Sequence, residues 1–561
     1  MNKKWECYEL DEEKVKKLSD EYNINDILAR ILVNKEITNK EEIELFINPT
    51  RKDFHDPFLM PDMEITVDRI LKAIQEKEKI IIYGDYDADG ITSITVLKNF
   101  LEERGLEVSY YIPNRLDEGY GLNKEAIKKI YDDGFRLMIT VDCGITGIEE
   151  IDYANSLGME TLITDHHEPA EILPKATAVV DAKRKDNKYP FNQLAGVGVV
   201  FKLIQAISIK LDLPEKEYLK YLDIVCIGTI SDIVPLVDEN RVIAKLGLKL
   251  VAQTKNIGLK ELLSVIGFKT IDSNAISFGV APRINACGRM GNEKLALDLF
   301  LSKNAEEAKK LAIKLNEYNI ERQAIEKKIF EEAVKKIEHS EKEKTCIILG
   351  SDDWHHGIIG IVASKVTEMY FKPSVLICFD GEEGKGSGRS IPGFDLHEAL
   401  MKCGNHLEKF GGHAMAVGVT VKRSEFENFK EEMEAYAKEC KIDEIQPVIY
   451  IDSVLDLKNI NLENVKSLKM LEPYGEANKM PLFLLKNLKI NSIRALSEGK
   501  HLKLTLKDEN FMIDAIGFNM GELSEKYLLD DKVDVVGNLD VNVFNGNESI
   551  QILLKDIRKS Y

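Results

Sequence analysis

The sequence lacks any long apolar run. None of its 561 residues belongs to a stretch that approaches the roughly 20 consecutive apolar residues needed by a membrane-spanning helix. The first residues, MNKKWECYELDEEK, also lack the apolar core of a signal peptide. We therefore expect a cytoplasmic protein with no membrane partner.

Cysteine is sparse, and its spacing argues against both a disulfide framework and a structural zinc site. The eight cysteines include no Cys-x-x-Cys pair, and most lie in apolar, strand-like segments. This spacing indicates reduced thiols in a cytosolic chain rather than a disulfide framework. It also argues against a structural zinc site, which needs grouped Cys and His ligands.

The sequence also lacks an excess of positive charge. It has 76 Lys and Arg against 95 Asp and Glu, a net charge of −19 at pH 7. This balance argues mildly against a nucleic-acid partner, whose phosphates must be neutralised by Lys and Arg. The objection is weak, because net charge is a global sum whereas binding uses a local groove. A carboxylate-rich metal site would also add acidic residues.

The pattern of apolar residues changes along the chain. From 79 to about 235, short apolar runs alternate with helical stretches, which predicts an α/β domain with a parallel sheet. A second α/β segment covers about 344–440. From about 446, successive short strands with the hairpin signal FNGNE predict a small β-barrel of the oligonucleotide-binding (OB) kind.

These patterns predict five parts of the chain. They are an N-terminal helical segment, 1–75; a parallel-sheet domain, 76–300; a connecting helix, 301–343; a second α/β domain, 344–442; and a C-terminal OB-like barrel, 446–561. The connecting helix has apolar residues mostly three, four or seven apart, at Leu311, Leu315, Tyr318, Ile325, Ile329 and Ala333. We expect it to pack along one face; a coiled-coil surface for a partner is the alternative.

Three aspartates follow the first apolar run of the parallel sheet, in IIYGDYDADGITS. Asp85, Asp87 and Asp89 alternate with other residues, and in extended backbone alternate side chains point to the same side. Three such carboxylates repel one another unless a cation lies among them. The alternative is a polar turn, in which Asp and Gly are common. The charged residues that follow other apolar runs of the sequence favour a metal site over such a turn.

Charged residues also follow other apolar runs. Asp142 follows the apolar run of LMITVDCG. Asp165, His166 and His167 end TLITDHH, and Asp232 follows a strand-like or buried helical segment. Because ligands bind beyond the carboxyl ends of parallel strands, we expect these residues to converge there. Oxygen ligands with one or two imidazoles suit Mn²⁺ or Mg²⁺, and two divalent cations would offset about four carboxylate charges. Each aspartate alone could instead cap a helix, and adjacent histidines in extended backbone cannot both face one way.

The segments DYDADG, VDCG, TDHH and GTISDIVPL occur in this order and resemble the four motifs of the DHH phosphoesterase superfamily, more narrowly its bacterial single-stranded-DNA exonucleases. Further matching stretches include YIPNRLDEGYGLN, APRINACGRM, WHHGIIGIVASK, GSGRSIPGFDL and FGGHAMAVG, so the resemblance spans nearly the whole chain. It implies a DHH domain, a DHH-associated domain and an OB domain. The implied activity is 5′→3′ hydrolysis of single-stranded DNA to 5′-mononucleotides in DNA repair and recombination. The implied protein partners are a single-strand-binding protein and a RecQ-type helicase.

The resemblance also implies roles for individual residues. The implied metal ligands are Asp87, Asp89, Asp142, His166 and Asp232, with Asp142 bridging two cations. His167 would face the scissile phosphate and Asp165 would orient it, while Asp85 would compensate for Tyr83, which replaces a histidine ligand of smaller members. The implied substrate contacts are Arg115, Tyr120, Arg283, Asn285, Arg289, His355, Ser387, Arg389 and His413.

Several alternatives stay open at this point. GEEGKGSGRS is either a phosphate-binding loop, with backbone donors freed by Gly384, Gly386 and Gly388, or a flexible glycine loop. We expect His356 to be structural. Another DHH enzyme, acting on oligoribonucleotides or cyclic dinucleotides, would not need the β-rich region after 446. A non-catalytic DNA-binding scaffold would not need the complete set of implied ligands.

Overall fold

The computed structural model describes residues 3–115 and 118–560, and the chain forms two compact units. One unit contains residues 55–234 and 246–446, and it is named the catalytic unit because all the catalytic residues predicted from the sequence fall in it. The barrel unit contains residues 1–54, 235–245 and 447–561. Within the described ranges, no helix is both long and apolar enough to span a membrane.

The strands are β1 Lys4–Cys7, β2 Ile80–Gly84, β3 Val108–Tyr111, β4 Leu137–Val141, β5 Glu160–Thr164, β6 Ala178–Val180, β7 Ile347–Ser351, β8 Ser374–Asp380, β9 Glu383–Arg389, β10 Lys409–His413, β11 Ala416–Lys422, β12 Val448–Ile451, β13 Ser453–Val454, β14 Phe483–Leu496, β15 His501–Asp508, β16 Phe511–Gly517, β17 Lys532–Phe544 and β18 Asn547–Lys559.

The α-helices are α1 Glu12–Tyr22, α2 Asp26–Asn34, α3 Lys40–Ile47, α4 Met63–Glu76, α5 Ala88–Glu102, α6 Lys124–Asp132, α7 Ile148–Ser156, α8 Gly196–Lys210, α9 Lys216–Leu219, α10 Leu222–Ser231, α11 Asp238–Val251, α12 Ile257–Ile266, α13 Ser273–Ala275, α14 Ala281–Arg289, α15 Lys294–Leu301, α16 Ala305–Lys336, α17 His356–Tyr370, α18 Leu396–Lys402, α19 Phe426–Glu439, α20 Leu462–Ser467 and α21 Leu523–Lys526.

The catalytic unit is built on two sheets. Strands β2–β6 form a five-stranded parallel sheet in the order β3-β2-β4-β5-β6. Every residue of β2 and β4 is buried, as expected where both faces of a parallel sheet are covered. This sheet confirms the predicted parallel α/β fold. Strands β7–β11 form the second sheet, in the order β10-β11-β9-β8-β7, where only β7 and β8 run parallel.

Helix α16 connects the regions that carry the two sheets. It packs against α12, α14 and α17, and buries Leu315, Ile329 and Ala333 of the apolar positions predicted from the sequence. Its buried face also carries Asn319, Arg322 and Glu326. The helix therefore packs along one face as expected, but that face is partly polar.

The barrel unit contains a closed barrel. Strands β14–β18 pair as β14-β15-β16-β18-β17, and β17 returns to β14. Along β15, Leu502, Leu504 and Leu506 are buried in the barrel core while Lys503 and Lys507 alternate with them. This confirms the predicted OB-like barrel.

The first 75 residues do not form a separate helical segment. Helices α1–α3 share one hydrophobic core with the barrel, through residues such as Leu28, Leu32 and Phe46. The strand β1, which the sequence did not predict, pairs in parallel with β12 more than 400 residues later. Four residues, KWEC, give no local strand signal, because the partner that completes the pairing is remote in sequence.

Candidate active site

The turn from β2 to α5 brings the first aspartates together. Strand β2 ends at Gly84 and α5 begins at Ala88, with Asp87 as its N-cap. The Asp87 Oδ1 accepts hydrogen bonds from the backbone N–H groups of Asp89 (2.9 Å) and Gly90 (3.0 Å). The expectation of three side chains alternating along extended backbone is therefore wrong: the chain turns into a helix, and the turn itself makes the carboxylates converge.

Close packing fixes this turn. A Cβ atom on Gly90 would lie 2.3 Å from the carbonyl oxygen of Asp85, so no larger residue fits there. Asp89 points into the unit and accepts backbone N–H bonds from Gly196 (2.6 Å) and Val197 (2.8 Å) at the start of α8. Two helix N-termini thus hold the carboxylates of this motif.

The next ligands come from the ends of β4, β5 and α10. Asp142 directly follows β4 and His166 lies two residues after β5. The His166 Nε2 is 3.1 Å from Asp142 Oδ1, 3.8 Å from Asp89 Oδ2 and 3.7 Å from Asp232 Oδ2. Asp232 is the C-cap of α10, so its expected position at a strand edge is wrong and the helical alternative is correct.

These residues fit divalent cations. Three groups each bring their ligand atoms within 4.8 Å of one another: Asp85, Asp87 and Asp142; Asp142, His166 and His167; and Asp89, His166 and Asp232. Among the described residues, the buried atoms His166 Nε2 and Asp85 Oδ1 have no hydrogen-bond partner. Asp142 and His166 each belong to two groups, and of the two only Asp142 has two carboxylate oxygens with which to bridge a pair of cations. Carboxylate oxygens with an imidazole are a donor set for Mn²⁺ or Mg²⁺.

The raised pKa values of the buried carboxylates also indicate a site for cations. Burial, and then the charge of Asp87, raise the pKa of Asp89 to about 7. Burial, and then the charge of Asp89, raise the pKa of Asp232 to about 9. Crowded buried carboxylates resist ionisation unless positive charge compensates them, and bound cations would supply that charge.

The two adjacent histidines lie on the same side. Their ring centroids are 4.4 Å apart and both approach Asp142. The expectation that they face opposite ways is wrong, because the chain after β5 bends instead of continuing as a strand.

Asp165 and Tyr120 hold the His167 ring. The His167 Nδ1 is 2.7 Å from Asp165 Oδ1 and 3.1 Å from the Tyr120 hydroxyl. Asp165 Oδ2 in turn accepts the backbone N–H of Ile145, at 2.9 Å. Burial lowers the pKa of His167, but the hydrogen bond and the charge of Asp165 outweigh it and raise the pKa overall.

Tyr83, by contrast, is part of the packing. Its hydroxyl donates to the Gly121 carbonyl at 3.0 Å, and its ring stacks on Tyr111 with centroids 5.2 Å apart. Asp85 lies with Asp87 and Asp142 in one of the candidate metal groups.

A basic cluster adjoins the metal site in the catalytic unit. Burial, and then the charges of Arg115, Arg322 and Arg389, lower the pKa of Arg289 to about 9. The Arg389 guanidinium donates to Ser387 Oγ (3.0 Å) and to the Gly388 carbonyl (2.7 Å), both neutral acceptors. Arg322 is ion-paired with Glu326, but among the described residues the guanidinium groups of Arg289 and Arg389 donate only to neutral partners. Guanidinium groups with neutral partners can bind an anion.

The glycine-rich segment that carries Ser387 and Arg389 is a strand. Gly384, Gly386 and Gly388 lie in β9, which pairs with β8 on one side and β11 on the other. Their expected role as free backbone donors in a loop is wrong, as is the flexible-loop alternative. A Cβ on Gly386 would lie 2.6 Å from Val419, so the glycines allow close packing while the alternate side chains face the basic cluster.

The other predicted contacts have local roles. Asn285 Oδ1 accepts the backbone N–H of Ala88 at 2.8 Å and so anchors the start of α5. Arg283 donates to Asn316 Oδ1 (2.9 Å) and to the Gly279 carbonyl (2.8 Å). His413, in β10, is exposed.

The two histidines of WHHGIIG lie in different surroundings, and the predicted substrate contact of His355 stays a prediction. His355 is the N-cap of α17, with its Nδ1 accepting the backbone N–H of Gly357 at 3.1 Å. His356 lies nearer the basic cluster: burial, and then the charges of Lys385 and Arg115, lower its pKa. The alternation of Lys385 with Ser387 and Arg389 could have indicated this face.

Asp181 is a further buried carboxylate, which was not predicted from the sequence. It follows β6, is fully buried, and its Oδ2 has no hydrogen-bond partner in the described ranges. Burial raises its pKa to about 7, and the charge of Asp165 adds to this. Its signal, an aspartate directly after the apolar run AVV, was the one used for Asp142.

The parallel sheet, with an Asp and His centre beyond its strand ends, defines a protein of the DHH class. A model described as the DHH family, N-terminal domain, matches residues 79–229, the DHHA1 domain matches 343–439, and the RecJ OB domain matches 451–556. A single-stranded-DNA-specific exonuclease RecJ from Bacillus subtilis (strain 168) is 39% identical over 559 residues, covering 99% of this chain and 70% of that protein. The chain belongs to the RecJ family.

Solved structures agree with this assignment. The crystal structure of RecJ in complex with Mn²⁺ from Thermus thermophilus matches with a TM-score of 0.86 and 30% identity, covering 100% of this chain and 80% of that chain. The Mg²⁺ complex of the same protein matches with a TM-score of 0.80 and 28% identity, covering 100% and 79%.

Proposed function

We propose that this protein is an exonuclease specific for single-stranded DNA, which uses two divalent cations and releases 5′-mononucleotides in the 5′→3′ direction. The observation that carries the proposal is the meeting of the Asp and His centre with a basic cluster in one compact unit. The names of the relatives, single-stranded-DNA-specific exonucleases, support the substrate. A role in DNA repair and recombination follows from the family resemblance.

The metal ligands would be Asp85, Asp87, Asp89, Asp142, His166 and Asp232, with Asp142 shared between the two cations. Bound divalent cations lower the pKa of water and stabilise the negative charge that develops on a phosphate under attack. The protein's own contribution is to hold these ligands on helix N-termini and strand ends, where they need little reorganisation.

His167 would donate a hydrogen bond to the scissile phosphate. Asp165 and Tyr120 orient its ring, and the raised pKa of His167 favours the protonated form that can donate. Burial raises the pKa of the neighbouring Cys143 thiol well above its usual range, so it stays protonated. The nucleophile in this proposal is water, since the divalent cations would lower its pKa.

The basic cluster would bind the 5′-terminal phosphate. Arg389 and Arg115 supply guanidinium groups, which can grip a phosphate in bidentate fashion, and Ser387 supplies a hydroxyl. Arg115 also lies 4.9 Å from the centre of the Tyr86 ring, which directly precedes Asp87 in the first motif. A phosphate held here would place the adjoining phosphodiester near the metal ligands.

The direct test uses purified protein with Mn²⁺ on single strands labelled at the 5′ or the 3′ end. We expect labelled mononucleotide to appear first from the 5′-labelled strand, while blunt duplex stays intact. Faster cleavage of short RNA or of a cyclic dinucleotide would favour the other DHH activities. Binding of DNA without any hydrolysis would favour the scaffold.

Two further proposals rest on family resemblance alone. We propose a single-strand-binding protein and a RecQ-type helicase as protein partners, to be tested by binding between the purified proteins. We also propose a cytoplasmic location, to be tested by fractionation of cells that express the tagged chain.

A further inference from the structure

The catalytic unit carries an exposed aromatic residue on a π-helical turn. Phe278 is 79% exposed, more than any other large apolar side chain among residues 3–115 and 118–560. It belongs to the π-helix Ile276–Val280, which continues directly into α14. Single π-helical turns within α-helices are frequent at functional sites. The phenyl ring is therefore open to a ligand at a turn of a kind that often serves one.

The turn that carries Phe278 is held from two sides. The ring of Phe268 packs against the backbone of Gly279, where a Cβ atom would lie 2.2 Å from that ring. The Arg283 guanidinium donates to the Gly279 carbonyl at 2.8 Å and to Asn316 Oδ1 at 2.9 Å. Because the backbone is already fixed, little conformational freedom would be lost when a ligand binds to Phe278.

Phe278 shares one side of its helix with two residues of the proposed active site. Four residues that keep solvent-exposed surface are spaced four, three and four apart along the π-helix and α14: Phe278, Pro282, Asn285 and Arg289. Residues at this spacing lie on the same side of a helix. Asn285 Oδ1 accepts the backbone N–H of Ala88, in the first aspartate motif, at 2.8 Å, and Arg289 belongs to the basic cluster.

The order of these residues along the helix matches a path for a DNA strand. At 1.5 Å per residue, Asn285 lies about 6 Å from Arg289 along the helix axis, and Phe278 lies about 10 Å further. A 5′ phosphate at the basic cluster and a scissile phosphodiester at the metal ligands define a direction, which continues from Asn285 to Phe278. The nucleotides that follow the scissile phosphodiester would therefore reach the exposed ring.

We propose that Phe278 stacks against a base on the 3′ side of the scissile phosphodiester in a bound single strand. The inference rests on the proposed function and adds a nucleobase subsite to it. Every base has a π face, so stacking on this ring adds affinity without sequence preference. In a duplex the neighbouring base pairs cover the faces of each base, and stacking on Phe278 would require unstacking, so the subsite favours a single strand.

The test compares a 5′-phosphorylated single strand with a 5′-phosphorylated dinucleotide, using the full chain with Mn²⁺. Phe278→Ala should raise KM for the strand about tenfold relative to KM for the dinucleotide, which ends before the ring. The value of kcat for the strand should change little, as when an interaction made equally in the ground and transition states is lost. Phe278→Trp should keep the wild-type ratio of the two KM values. Met369→Ala, at a 54% exposed apolar position of α17, is the control and should also keep it.

A single abasic nucleotide, placed at successive positions of the strand, locates the stacked base. Release of the labelled 5′ nucleotide reports the first hydrolysis on each strand. In the wild type, an abasic nucleotide at one position beyond the second should raise KM about tenfold. In Phe278→Ala the same nucleotide should have little further effect, because the stacking that it removes is already absent. Phe278→Leu, which keeps apolar surface without the ring, should behave like Phe278→Ala.

Two results would overturn the inference. One is a ratio of KM values that is the same in Phe278→Ala and Phe278→Leu as in the wild type. The other is an abasic effect that is as large in Phe278→Ala as in the wild type. If the wild type hydrolyses no single strand, the proposed function itself fails, and fluorescence anisotropy of the same strands with EDTA decides on Phe278. Binding that is about tenfold weaker in Phe278→Ala would then support the stacking, and equal or absent binding would overturn it.

Discussion

At the scale of single residues, Asp142 is the carboxylate shared by two of the candidate ligand groups of the metal centre. It directly follows β4, belongs to two of the candidate ligand groups, and lies 3.1 Å from His166 Nε2. Its neighbour Gly196 approaches so closely that a Cβ there would lie 2.7 Å from the Asp142 Cβ. The carboxylate is therefore held in a space that leaves little freedom to move.

Asp142→Ala should abolish turnover while leaving the fold largely intact. Loss of a bridging carboxylate removes the charge stabilisation of the reaction, which we expect to lower kcat about a thousandfold. The measurement is mononucleotide release with Mn²⁺ at micromolar concentration, with the exposed Asp152→Ala as control. Activity of the Asp142 variant within about tenfold of wild type would refute the assignment.

Arg389→Ala should identify the end-sensing group. It should weaken binding of 5′-phosphorylated strands by about 1.5–3 kcal/mol, the usual size of a charged hydrogen bond, and affect 5′-hydroxyl strands much less. The ratio between the two substrates is the quantity to measure, since a general defect lowers both. Arg423→Ala, a surface arginine of the same unit, is the control. An equal loss on both substrates would show that Arg389 does not sense the 5′ end.

At the scale of elements, β9 shows how a glycine-rich segment can be rigid. Its glycines face neighbouring side chains at distances that exclude a Cβ, while Ser387 and Arg389 alternate with them. Because a strand has a period of two, one face packs and the other carries the cations. The proposed anion site therefore rests on a paired strand and not on a mobile loop.

Gly386→Ala should lower the midpoint of urea unfolding, because its Cβ would meet Val419 at 2.6 Å and Ile377 at 2.8 Å. Overpacking of this kind costs about 1–3 kcal/mol. Gly418→Ala, in the adjacent strand with no atom within 4 Å of its Cβ, is the matched control and should change the midpoint little. Equal midpoints for the two variants would contradict the packing role.

On the scale of the whole molecule, the net charge of −19 hides local concentrations of positive charge. On β14 and β15 of the barrel, the register places Lys489 opposite Lys507, whereas Lys503, opposite Arg494, forms an ion pair with Asp514 at 2.9 Å. Like charges at directly opposed positions destabilise a sheet. A polyanion on this face would relieve that repulsion.

The affinity for single-stranded DNA should fall steeply with salt in spite of the acidic total. Each phosphate contact contributes about 0.7 to the slope of log K against log salt for a single strand. Lys507→Gln should therefore reduce the slope by about that amount, whereas Lys555→Gln, on β18, should leave it unchanged. A wild-type affinity that barely varies between low and moderate salt would contradict such a surface.

The sequence by itself determined the sheet type, the OB-like barrel and the residue types of the metal centre. These follow from local patterns: the alternation of apolar runs with helices, the period of two, and aspartates placed directly after apolar runs. For the same reason, Asp181 could have been found by the rule that found Asp142.

Only the tertiary structure decided how these residues meet. The convergence of Asp87 and Asp89 depends on a helix N-terminus, and the shared orientation of His166 and His167 on a bend, neither of which periodicity reveals. The pairing of β1 with β12 and the common core of α1–α3 with the barrel depend on partners hundreds of residues away. The physical reason is that the pattern of apolar residues indicates whether a side chain is buried. It does not identify the remote segment against which that side chain packs, because this depends on the tertiary structure.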